Sequence, residues 1–178
     1  MKLSLHHIYL SALSISLIGC TSMPSQPTTL APANLQAPAE QSFAFELAAK
    51  GVQIYTCKAN SKDASQYEWA FVAPEAELFR GTQMENIGLH GAGPFWSMND
   101  GGRIVGEVVA KSDSPNKQAI PWLLLKVKMN SGLGEFAQVK SIQRVATAEG
   151  KAPTSGCDAM NLGKEVRIPY TATYNFFR

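Results

Sequence analysis

Apolar and polar residues alternate with a period of two along most of this chain, the pattern of strands with one buried face. The clearest stretch is residues 120–147. Its odd positions Leu123, Leu125, Val127 and Met129 are apolar, while the even positions run Trp122, Leu124, Lys126, Lys128, apolar at one end and charged at the other. One face of that strand lies in a core, and the other leaves it partway along. Ser131-Gly132-Leu133-Gly134 offers glycines for a tight turn, and residues 135–147 return to complete a long hairpin. In the return strand Ala137 and Val139 share a parity that Ile142 breaks and Val145 restores, which predicts a β-bulge near Ser141.

The same alternation predicts strands over residues 43–47 and 52–58, joined by a turn at Ala49-Lys50-Gly51, and another over residues 67–73 after a polar loop. Pro74-Glu75-Ala76-Glu77-Leu78-Phe79 reads as the start of a short helix, with proline first and acids in the first turn. Asn99-Asp100-Gly101-Gly102 is a hairpin turn between strands at 95–98 and 103–110. Residues 111–119 and 149–163 are loops. A cleanly alternating last strand places Val166, Ile168, Tyr170, Ala172, Tyr174 and Phe176 on one face, and its Pro169 belongs at a sheet edge or bulge. Short strands, frequent turns and little helical periodicity predict an all-β domain, an antiparallel β-sandwich or barrel built from hairpins.

The first residues follow another rule. Lys2 is the only charge before Cys20, residues 8–18 form an apolar and serine run of secretory length, and Leu17-Ile18-Gly19-Cys20 resembles the lipobox of bacterial lipoproteins. The expectation is a signal peptide over residues 1–19, lipid attachment at Cys20 and a Pro/Ser/Thr-rich flexible tether over 20–37, ahead of an all-β domain over 38–178. Each buried methylene contributes about 0.8 kcal/mol, so several acyl chains would hold the protein on a membrane without a spanning helix. Thr21 follows the cysteine, which by resemblance to enteric lipoprotein sorting points to the outer membrane, facing the periplasm. Removing Lys2 leaves 15 Lys+Arg against 14 Asp+Glu, a net of +1, with no block of like charge, so nucleic acid is not an expected partner. With Cys20 acylated, Cys57 and Cys157 are one even pair in an oxidising compartment, and a disulfide between them is expected. Closing that loop of about 100 residues would contribute up to about 4.7 kcal/mol in the chain-entropy description.

Several segments together resemble a known family: Gly51-Val-Gln-Ile-Tyr-Thr-Cys57, Ala73-Pro74-Glu75-Ala76 after Trp69, Gly88-Leu-His90-Gly-Ala-Gly-Pro94-Phe-Trp96 and Ile120-Pro-Trp-Leu-Leu-Leu-Lys126. Gln143-Arg144-Val145, Gly156-Cys157-Asp158 and Pro169-Tyr170-Thr-Ala-Thr-Tyr174 complete the set. They resemble the secreted bacterial and fungal domain known as domain of unknown function, family 3455. The resemblance implies export and matching cysteines at 57 and 157; it implies no activity.

Candidate chemistry is sparse. His90 is the only histidine outside the leader, in a glycine-rich stretch with Trp96 and Asp100 nearby in sequence. The expected ligand-contacting set is therefore His90, Trp96 and Asp100, with Trp96 partly exposed to stack on a ligand. No catalytic residue is assigned: there is no Gly-x-Ser-x-Gly, and one histidine with two paired cysteines does not close a zinc site, so neither metal nor cofactor is expected. Carboxylates at Glu68, Glu75, Glu77 and Asp100 read as surface charges, and Trp122 as core; an alternative places Trp69, Trp96, Trp122 and Tyr55 in one aromatic platform. The leading expectation is a non-catalytic β domain of the cell envelope that binds a glycan, small molecule or protein. The alternatives are an envelope hydrolase using His90 and Asp100, or a lysozyme-inhibitor-like or structural envelope protein.

Overall fold

The computed structural model describes residues 26–178; the leader and Cys20 lie outside the described residues. Eight antiparallel strands form a closed barrel in sequence order: β1 (Phe43–Ala59), β2 (Tyr67–Arg80), β3 (Glu85–Gly91), β4 (Phe95–Met98), β5 (Arg103–Ser112), β6 (Trp122–Ser131), β7 (Ser141–Glu149) and β8 (Glu165–Phe177). The all-β expectation holds, and closure decides between sandwich and barrel. β1 and β8 pair along nearly their whole lengths, from Phe43 with Phe177 to Thr56 with Glu165, so the chain's first and last strands seal the sheet. The interior is apolar, with Leu47, Leu78, Ile104, Leu125, Ile142 and Phe176 fully buried.

Where two strands and a turn were expected at 43–58, there is one strand of 17 residues. Gly51 is not a turn glycine. A Cβ there would lie 2.1 Å from the Glu75 carbonyl oxygen, so its role is to let β2 approach β1 closely. The expected helix at Pro74 is likewise strand: β2 continues through it, with Pro74 opposite Gln53. Proline is accommodated because β3 joins β2 only from Ala76 onward, leaving one flank of Pro74 without a ladder partner. Pro169 has the same explanation, since β7 pairs with β8 only as far as Tyr170.

The central hairpin also differs from expectation. β6 and β7 pair over only four positions, Leu123–Lys126 against Ser141–Arg144, and the return strand begins at Ser141. Before it, Glu135–Gln138 makes a 3-10 turn that plugs one barrel end with the fully buried Phe136. The Phe136 ring packs against Phe176 at 5.1 Å and Phe45 at 6.0 Å between centroids. The bulge expected near Ser141 lies further on, between Val145 and Ala148, where Ala146 takes a φ of 48°.

The last part of the expected tether is docked. Ala33–Leu35 forms a 3-10 turn, and Leu35 is completely buried with Ala31 against Trp122 and Val145 on the outside of the barrel. Gln143 Nε2 donates to the Leu35 carbonyl at 2.7 Å, and Asn34 Nδ2 to that of Lys111 at 3.3 Å. This segment explains the mixed face of β6: Trp122 and Leu124 lie under it, whereas Lys126 and Lys128 lie beyond it and pair with Glu107. Trp122 is thus core, in a cluster outside the barrel wall.

Cys57 and Cys157 are bonded, with Cα atoms 5.3 Å apart, tying the end of β1 to the β7–β8 connection. Leu35→Ala should cost about 2–5 kcal/mol in urea-induced unfolding, the range for emptying a buried leucine site. A cost within about 0.5 kcal/mol, typical of surface substitutions, would show that the segment is a detachable spacer.

Candidate functional site

The alternation of hairpins places the β1–β2, β3–β4, β5–β6 and β7–β8 connections at one end of the barrel and the others at the Phe136 end. At the first end the axis is closed by Ala119 and Ile120, which bridge to Gly150 and Glu149. Tyr55 Oη donates to the Gly150 carbonyl at 2.6 Å, and Thr147 Oγ1 to that of Ile120 at 2.7 Å. The opening is in the side wall instead. The β3–β4 hairpin is short: β3 meets β2 only over Ala76–Arg80, and β4 meets β5 only over Arg103–Val105. The outer reaches of β2 and β5 therefore flank a notch above the turn at Ala92-Gly93-Pro94.

Through this notch opens a cavity of about 290 Å³. Its floor is Ala92, Gly93 and Pro94; Phe71, Val72, Pro74 and Val108 form the rim; His90, Trp96, Leu123, Leu125, Arg144 and Tyr174 line the inside. Three rim side chains are half-exposed and apolar: Phe71, Val72 and Val108, at 55%, 48% and 48% exposure. A void of about 150 Å³ lined by hydrocarbon holds benzene, so this one has room for more than a single ring.

His90 and Trp96 are a directly opposed pair across the β3–β4 ladder. Their rings stack at 4.5 Å between centroids, and the Tyr174 ring meets both edge-on, at 5.0 Å and 5.3 Å. Gly106 makes room for the indole: a Cβ there would come within 3.0 Å of the Trp96 ring. Both His90 and Trp96 are buried, at 3% and 1% exposure, contrary to the expectation of a partly exposed Trp96. The segment expected as a glycine-rich loop is this hairpin, and neither indole face is free to stack on a sugar.

His90 Nδ1 lies 2.7 Å from the Phe95 carbonyl oxygen. A carbonyl only accepts, so Nδ1 carries the proton and Nε2 is left with a lone pair. Burial, reinforced by the nearby Arg144 charge and opposed by the Phe95 carbonyl, lowers the His90 pKa to about 3. The imidazole is neutral at ordinary pH and a weak base, poorly matched to general-base work near neutrality.

Four further polar groups converge here. Trp96 Nε1 and the hydroxyls of Tyr170 and Tyr174 are buried without a hydrogen bond of normal geometry, as is Gln53 Nε2 behind them. Tyr174 sits beside both the Arg144 guanidinium and Tyr170. Burial raises the pKa of both tyrosines, so each hydroxyl keeps its proton. Arg144 donates from Nε and Nη2 to the Pro121 carbonyl, at 3.1 and 2.8 Å.

Asp100 is not part of this site. It lies in the β4–β5 turn at the Phe136 end, where its Oδ1 accepts from Gly102 N at 2.8 Å. The His90–Asp100 pair that a hydrolase reading needs does not form. The aromatic platform is not assembled either: Trp69 donates to the Ser155 carbonyl at 2.9 Å beside the disulfide loop, and Trp122 lies beneath the N-terminal segment. Sequence reasoning missed Arg144, Tyr174 and the rim. The one available signal was an arginine in a strand of otherwise uncharged neighbours, Ser141-Ile142-Gln143 and Val145-Ala146-Thr147. Among the described residues no group of three or more His, Cys, Asp or Glu side chains is placed to hold a metal ion.

The chain belongs to the family described as protein of unknown function (DUF3455), which it matches over residues 38–178. No curated protein and no solved structure matches it.

The buried histidine links this site to stability. Its folded pKa lies below the unfolded value, so the unfolded chain binds the proton more readily below about pH 6.5 and stability falls as the pH drops from there toward 3. Between pH 7 and pH 5 the loss from this group is about 2 kcal/mol. Chemical denaturation at both pH values should show that loss shrinking in His90→Gln. An equal loss in both proteins would mean that His90 does not carry the acid sensitivity.

Proposed function

We propose that this is an exported, lipid-anchored protein of the cell envelope whose barrel binds a small, largely apolar molecule in the side cavity, without catalysis. One observation carries the reading. The cavity has apolar walls and a half-exposed apolar rim, and the polar side chains of His90 and Arg144 line it. His90 lines the same space, and its Nε2 has no hydrogen-bond partner among the described residues. A pocket mostly hydrocarbon with a few convergent polar groups is the usual composition of a small-molecule site. The neutral, weakly basic His90 further favours binding over hydrolysis.

Calorimetric titration with a neutral probe, 2-naphthalenemethanol, tests the cavity. Saturable binding to the mature protein is expected, together with a stabilisation of about 1.4 kcal/mol at ten times Kd. Val108→Trp, a substitution at the half-exposed rim, should block the notch and abolish binding without lowering the melting temperature of the free protein. Unaltered binding to Val108→Trp would place the ligand elsewhere, and no binding to the wild type would end the reading.

The anchor has its own test. Cys20→Ala should move the protein from the membrane to the soluble envelope fraction, because acyl chains supply the membrane affinity. Persistence in membranes after a high-salt wash would refute lipid anchoring.

A further inference from the structure

Among the described residues, Arg144 is the one cationic side chain that lines the side cavity. Arg80 pairs with Glu135, Arg167 with Glu75, and Lys126 and Lys128 with Glu107. Arg103 lies over the Phe95 ring at 3.7 Å. Arg144 has no carboxylate within ion-pair distance among the described residues, although it lines the cavity and is partly buried there. Its position is set from both sides: on β7 it is opposite Tyr174 of β8 and Leu123 of β6, and the Pro121 carbonyl accepts from two of its nitrogens. A guanidinium held this way presents its remaining N–H groups in a fixed direction. Around it stand neutral groups only: His90, kept unprotonated by burial, and Tyr174 with its proton on.

A partly buried cation without a counter-charge is electrostatically costly, and an anion that brings its own apolar body would offset the cost. We infer that the side cavity selects a small organic monocarboxylate. Its carboxylate meets the Arg144 guanidinium, and its apolar body lies against Leu123, Leu125 and the Phe71–Val108 rim. This rests on the cavity-binding reading above and names its ligand class. A phosphate monoester fits less well. It would bring close to two negative charges to one guanidinium and set the second against the Nε2 lone pair of His90.

The test uses three probes of one shape, 2-naphthoate, 2-naphthalenemethanol and 2-naphthylmethylammonium, titrated calorimetrically into the mature protein at pH 7.5. In the wild type, naphthoate should bind at least about tenfold tighter than the alcohol, and the ammonium more weakly than either. In Arg144→Gln, the preference for naphthoate over the alcohol should disappear. Naphthoate binding no tighter than the alcohol in the wild type overturns the carboxylate inference while leaving the cavity reading intact. A naphthoate preference that survives in Arg144→Gln assigns selection to another group and also overturns it. If none of the three binds, both the inference and the cavity reading fall. Should Arg144→Gln not fold, the wild-type order of the three affinities decides alone.

Discussion

Closure of the sheet through the β1–β8 ladder is the constraint from which most other features follow. A single sheet of eight strands would have two edges, each a row of unsatisfied amides and carbonyls. Pairing the first strand with the last removes both, and it requires β1 to carry long ladders on its two sides at once. That double duty explains why a 17-residue strand contains a glycine at its middle: with β2 close on one flank, a side chain at Gly51 has no room. It also explains why the Cys57–Cys157 bond sits at the end of β1, where it fastens that strand to the connection leading into β8. Apolar side chains fill most of the barrel, and Lys50, Glu77, Arg167 and Thr171 lie on its outside.

Within a barrel closed in this way, an opening needs a local exception, and the short β3–β4 hairpin is that exception. Because its turn comes early, β2 and β5 lose their neighbours over their outer reaches, and the wall dips at Ala92-Gly93-Pro94. Below the dip, the His90, Trp96 and Tyr174 rings mark the boundary between packed core and cavity. Each has its rings or edges engaged by the others, which makes the inner wall rigid.

The other end is handled in the opposite way. Phe136, delivered by a 3-10 turn, fills the barrel between Phe45 and Phe176, and Arg80 pairs with Glu135 at the surface above it. One end is thus plugged by a ring, while the cavity opens through the side wall toward the other. Outside the wall, Leu35 and Ala31 shield Trp122 and Val145, so the residues that lead toward the membrane anchor proposed at Cys20 begin as part of the folded unit.

Much of this was legible in the residues. Period-two alternation marked strands within β1, β2, β6 and β8, the Asn99–Gly102 turn signal marked β4 and β5, the cysteine count identified the disulfide, and the segments from Gly51 to Tyr174 identified the family. These are local or arithmetic properties: strand pleating imposes the period, and two cysteines have one pairing. Pro74 and Gly51 were misread because proline and glycine carry opposite meanings in a turn and in a strand, and only the neighbouring strand's position decides which applies. Trp96 was expected at the surface from its glycine neighbours, yet those glycines serve close packing of rings and strands. The depth of His90, its neutral state, the separation of Asp100 from it and the arrival of Arg144 beside Tyr174 all depend on register between strands far apart in the chain. Alternation says that a side chain faces inward; which side chains meet there is set by how the sheet closes, and so the cavity and its unpaired cation belong to the tertiary structure alone.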